Sequence, residues 1–156
     1  MAKNARAEIT RELLLHIVEE GYSAKSWHGP NLRQAIKGVS AEQALWRPAE
    51  GRHNIWELAL HAAYWKYVAR RKLRGQPKGS FPIPGHDFFP VPDEANEASW
   101  RKGRALLEDE HRQLRLAIAE LPANSMAKFA RLIRGVAFHD VYHAGQIRLL
   151  RRLQPD

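Results

Sequence analysis

Apolar positions along this chain recur with a period near 3.6 in four long stretches, and runs alternating with a period of two are absent. The first predicted helix covers about residues 4–20, with Ile9, Leu13 and Ile17 in line and Gly21 as its stop. A short amphipathic piece follows at 31–37 and ends at Gly38. Ser40-Ala41-Glu42-Gln43 then reads as a capping box opening one further turn, closed by Pro48. The second long helix opens at Asn54 as N-cap with Glu57 three residues later, and runs to about Arg74. Asp93 is the expected cap of a third helix carrying Trp100, Leu107, Leu114, Ile118 and Leu121 up to Pro122. The fourth starts near Asn124 or Ser125 and continues to about Leu153.

Between helices two and three, residues 75–92 hold five of the nine prolines and three of the ten glycines. No helix can pass through such a stretch, and a loop of this length in a small domain is usually functional or mobile. The pattern predicts an all-α, four-helix bundle with a crossover possible at this loop. With 156 residues, no repeat and no low-complexity segment, one domain over 1–156 is expected.

Composition narrows the chemistry. There is no cysteine, which removes disulfides, thiolate metal sites and thiol nucleophiles; a metal here must be held by imidazole and oxygen. No apolar run approaches the ~20 residues that cross a bilayer, and the N-terminus reads as a helix start and not as a secretory signal, so a cytoplasmic location is expected. The formal charge of +8 admits nucleic acid as a partner. Its densest clusters, Arg70-Arg71-Lys72 with Arg74 and Arg148 with Arg151-Arg152, fall at helix ends, where cations offset the helix dipole. No helix-turn-helix spacing or aromatic RNA-reading strand accompanies them, so no specific nucleic-acid binding is expected.

The fourth helix carries the strongest signal. A seam stepping by fours and threes reads Leu132, Val136, His139, His143, Gln146, Leu150, Leu153: aliphatic at both ends, polar at three consecutive positions between. A buried polar group without a partner costs roughly 1–3 kcal/mol, so three together need a common partner. His139 and His143 are one turn apart on one face, the spacing that brings two imidazoles to one metal. A pair satisfied by each other, by Gln146 or by water is the ordinary alternative. His61, in an apolar stretch of helix two, would by itself read as a core histidine; set against the pair it completes a three-nitrogen site. Such a site leaves a position open for water or substrate. Glu57, one turn before His61, is the weak candidate for a catalytic base, although its capping role already accounts for it. His111 falls on the stripe of helix three and suits a structural hydrogen bond, while His28, His53, His86 and His16 read as loop or surface. Asp140 is expected to point away from the seam and pair with an arginine, and Tyr142 to pack.

Trp27-His28-Gly29, His53-Asn54-Ile55-Trp56-Glu57-Leu58 leading to His61 and Trp65, and His139-Asp140-Val141-Tyr142-His143-Ala144-Gly145-Gln146-Ile147 followed by Leu149-Leu150-Arg151 together resemble the DinB/YfiT-like superfamily. The resemblance covers most of the chain, with Phe138 standing where relatives often carry a further histidine. It implies a four-helix bundle in which His61, His139 and His143 bind one divalent metal ion (zinc, nickel, iron or manganese). It also implies a homodimer, and thiol-dependent transfer or hydrolysis acting on a small-molecule substrate with a low-molecular-weight thiol. A non-catalytic, metal-stabilised bundle serving as a stress-response or binding protein is the alternative. Metal affinity is expected to fall as pH drops through the imidazole range, near ~6.5.

Overall fold

The computed structural model describes the backbone of residues 2–79 and 81–155, and side chains from residue 10 onward. The expected Ile9 contact lies outside the described side chains. Six α-helices follow in order: α1 Ala2–Tyr22, α2 Leu32–Ile36, α3 Ala41–Leu45, α4 Ile55–Leu73, α5 Glu97–Ala119 and α6 Met126–Leu153, with a 3₁₀ turn at Ala123–Ser125 before α6. No strand occurs among the described residues.

Local chemistry explains the boundaries. Asn31, Ser40 and Asn54 each cap a helix through a reciprocal box with the residue three places on, Gln34, Gln43 and Glu57 respectively. Gly75, with φ of 63°, takes the left-handed turn that ends α4. Helix α5 opens later than expected: Asn96, not Asp93, is its cap, its side chain accepting from the backbone N–H groups of Ala98 and Ser99. Gly21 does not stop α1. It lies within the helix, and a Cβ there would stand 2.8 Å from the Ala137 carbonyl oxygen, so it is where α1 and α6 touch backbone to backbone.

Among the long helices α4 packs on α5 and α6, and α1 packs on α6 and α5. Helices α1 and α4, like α5 and α6, stand across the core from one another. Trp56 meets Trp100 while Arg70 meets Glu110, so α4 and α5 are parallel neighbours, and the long loop runs back along the bundle to join them: the crossover that the sequence left possible is present.

The expected stripe of α1 is displaced by one residue, while that of α6 holds at Val136, His143 and Leu150 but misses the innermost positions. The buried positions of α1 are Leu14, Val18 and Tyr22, while Leu13 is exposed. Those of α6 include Ile133, Val136, Ala137, Asp140, His143, Ala144, Ile147 and Leu150, while Leu153 is exposed.

Two apolar clusters fill the interior. One holds Ala63, Leu107 and Ala144, the other Ala69, Leu114 and Ala137. The turn between them on each helix is polar: Lys66 on α4, Glu110 and His111 on α5, Asp140 on α6. Lys66 Nζ donates to Asp140 Oδ2 and lies 4.8 Å from the centre of the Tyr22 ring. Asp140 thus faces inward and pairs with a lysine, correcting the expectation of an outward residue paired with an arginine. His111 stacks on Tyr22 and approaches Glu19 at 3.3 Å.

Candidate metal centre

His61 comes from the middle of α4, and His139 and His143 from successive turns of α6, so the packing of those two helices brings the three rings together. His61 Nε2 and His143 Nε2 each lie 3.0 Å from His139 Nε2. Two nitrogens 3.0 Å apart subtend about a right angle at an ion about 2.1 Å from each. Among the described residues these three are the one group of imidazoles and carboxylates close enough to hold a metal, their ligand atoms all within 4.8 Å of one another.

The outer nitrogens decide what the inner ones can do. His61 Nδ1 lies 3.1 Å from the Asp87 main-chain oxygen, which only accepts, so Nδ1 carries the hydrogen. His143 Nδ1 likewise donates to Gln146 Oε1 at 2.6 Å, and Gln146 is held in that orientation by donating its own N–H to the Tyr142 hydroxyl at 3.3 Å. A neutral imidazole has one N–H, so both Nε2 atoms present bare lone pairs. His139 Nδ1 is buried without a partner. Even if His139 carried its hydrogen on Nε2, one hydrogen would serve two facing lone pairs. Three convergent nitrogens with at most one proton among them fit a cation; Gln146, the other partner that the sequence offered, bonds His143 through its outer nitrogen.

Burial keeps the rings neutral. It pushes His139 down to about 3, helped by the neighbouring His143 and His61 rings and by Lys66. It pushes His143 down to about 4, with the Gln146 hydrogen bond opposing. His61 is lowered by burial against the opposing pull of Asp87. Proton competition for a bound ion therefore moves well below the expected ~6.5, the value of an unperturbed imidazole.

The loop after α4 builds the other side of the site. Phe81 and Phe89 anchor it in the core against Tyr64. Phe88 stacks on His61 at 4.0 Å and on His53 at 3.8 Å. Asp87, at φ of 66°, turns its carbonyl to His61 and its carboxylate to the Trp65 indole N–H at 2.8 Å. Asp87 and Phe88 were not foreseen from the sequence. The signal available was three phenylalanines in a Pro/Gly-rich segment, which solvent-exposed loops seldom contain.

Glu57 has another occupation. Arg47 grips both carboxylate oxygens, at 2.8 and 2.5 Å, and His53 Nδ1 lies 3.0 Å away. Burial alone would raise its pKa, but Arg47, His53 and the Asn54 N–H outweigh it and hold the carboxyl below its usual range. His28 is exposed, and Phe138 and Tyr142 are largely exposed on α6. His16 is also on the surface beside Glu20.

The DinB superfamily model matches residues 26–147, well over half of the chain and inclusive of all three histidines. The chain belongs to the DinB superfamily. No curated protein and no solved structure matches it. No helix among the described residues is long and apolar enough to cross a membrane.

Proposed function

We propose that the chain is a single DinB-type four-helix bundle formed by α1, α4, α5 and α6, and that it is a metal-dependent enzyme. His61, His139 and His143 would hold one divalent ion of the zinc, nickel, iron or manganese class. The observation that carries this reading is the convergence of three Nε2 atoms, two of them stripped of hydrogen by the partners of their Nδ1 atoms. An ion held by three protein nitrogens can lower the pKa of a bound water or thiol and polarise a substrate oxygen.

The chain's own residues prepare that chemistry. The Asp87 carbonyl and the Gln146 amide fix tautomer and ring orientation, as outer partners of metal-bound histidines do. Phe88 and Trp65 cover the His61 and His139 rings. Glu57, bound by Arg47 and His53, braces the start of α4 and is a poor base. The family resemblance favours thiol-dependent transfer or hydrolysis on a small-molecule substrate. The reading includes a homodimer: Phe138, Tyr142 and Leu149 lie 64%, 63% and 58% exposed on α6, and Trp27 is 97% exposed. Apolar surface of this kind suits an interface.

The test is a screen of thiol conjugations and ester hydrolyses with protein stripped by chelation and reloaded with each metal. Turnover that follows the metal and vanishes in His139→Ala supports the enzyme. Metal that raises the melting temperature but supports no turnover would favour the non-catalytic, metal-stabilised bundle.

A further inference from the structure

A cavity of about 460 Å³ opens beside His139. His139 closes one end, and Trp65, tethered by Asp87, forms a wall. From His139 the floor runs along α6 toward its start, over Val136, Gly135 and Leu132, and reaches Arg131 and Lys128. Positions three and four apart share one side of a helix, so these residues form a continuous track. His139 to Arg131 is a rise of roughly 12 Å at about 1.5 Å per residue.

The two ends of the track differ in chemistry. At one end is His139, whose Nε2 lies 3.0 Å from those of His61 and His143. At the other end Arg131 and Lys128 are exposed, and neither has an anionic partner among the described residues. Three buried or half-buried cations elsewhere are instead held by carboxylates: Arg47 by Glu57, Lys66 by Asp140 and Arg70 by Glu110. The middle is apolar, and a Cβ added to Gly135 would meet nothing within 4 Å.

We propose that this cavity is the substrate channel of the metal centre and that it selects an elongated organic acid. The metal-binding head of such a ligand sits at the histidines, its apolar middle lies against Trp65, Leu132 and Val136, and its terminal carboxylate meets Arg131 and Lys128. The proposal names a substrate class for the metal site and rests on that reading.

The test uses full-length protein loaded with cobalt(II), whose visible bands report inner-sphere ligands. The probes are suberic acid monohydroxamate, which carries a terminal carboxylate, and the neutral octanohydroxamic acid. The acid should bind about tenfold tighter or more at low salt, and the preference should shrink as salt screens it. Arg131→Ala with Lys128→Ala should erase the preference while cobalt stays at one per chain. Gly135→Leu, at a helical position with open space, should weaken both probes and leave cobalt bound. Equal affinities in the native protein, a preference that survives the double variant, or a cobalt spectrum that neither probe changes would overturn the proposal. Failure of the metal reading is seen separately, as the absence of stoichiometric cobalt before any probe is added, and takes this proposal with it.

Discussion

Replacing Lys66 by methionine tests the polar layer on which the site rests. Both Lys66 and Asp140 are fully buried, and Asp140 Oδ1 already has no partner. Removing one member of a buried pair typically costs about 3–5 kcal/mol, because the survivor keeps its charge without compensation. Asp140 can escape by binding a proton, since burial already pushes its carboxyl up to about 6 against the pull of Lys66. Without Lys66 that value rises further. A folded pKa above the unfolded value, ~3.9 for aspartate, means that the folded state binds the extra proton; stability from this group falls as pH climbs from there to the folded pKa. The penalty of Lys66→Met should therefore be larger at pH 8 than at pH 5. For a domain of this size, about 3–5 kcal/mol corresponds to a melting-temperature loss of roughly 6–20 °C. Adding Asp140→Leu should restore most of the loss, since apolar replacement of both partners is often neutral or better. Far-UV circular dichroism during urea and heat unfolding, in chelator, reads the native protein and both variants. A loss under about 1 kcal/mol at pH 8, or one equal at both pH values, would refute the argument.

Acid should destabilise the metal-free protein. His111 is pushed down to about 2 by burial and by nearby Lys66, Arg115 and Arg33, and the site histidines are also depressed. The unfolded chain protonates these rings near ~6.5, so stability drops from there toward pH 4; His111→Phe should flatten the slope of urea stability by up to about 1.4 kcal/mol per pH unit, and an unchanged slope would contradict this. Gly21→Ala should destabilise by about 1–3 kcal/mol despite alanine's helix preference, because its Cβ meets the Ala137 carbonyl, whereas Gly145→Ala, in open space, should be neutral or stabilising; the reverse order in thermal unfolding would count against the packing. Light scattering at micromolar concentration should return a dimer mass, reduced to monomer by Phe138→Asp with Leu149→Asp; a monomeric native protein would end the dimer proposal.

Much of this was legible in the sequence because local chemistry fixes it. The capping boxes at Ser40 and Asn54 placed two helix starts, and Trp100, Leu107, Leu114 and Ile118 gave the buried side of α5. The phase of α1 was misread by one residue, and the seam of α6, right at Val136, His143 and Leu150, missed its innermost positions. Leu13, Leu14 and Leu15 are equally apolar, so periodicity cannot choose among them. In α6 the innermost position of the seam is a carboxylate, Asp140, whose burial is tolerable only because Lys66 arrives from α4. Tertiary pairing of that kind leaves no trace in the pattern of either helix. The three histidines were visible because two of them interrupt an aliphatic seam one turn apart. What orients them came partly from the loop, and Asp87 acts through its carbonyl and a left-handed backbone, which side-chain identity does not announce.

The most direct measurement is the metal content of purified native protein and of its histidine variants, by elemental analysis after gel filtration. The native protein should carry one divalent ion per chain. His61→Ala, His139→Ala and His143→Ala should each lose most of it, while His16→Ala, His53→Ala and His86→Ala retain it. Full metal content in all three site variants would contradict the account. Loss in only two of them, with His61→Ala still loaded, would show that His61 is a core histidine and that a carboxylate takes its place.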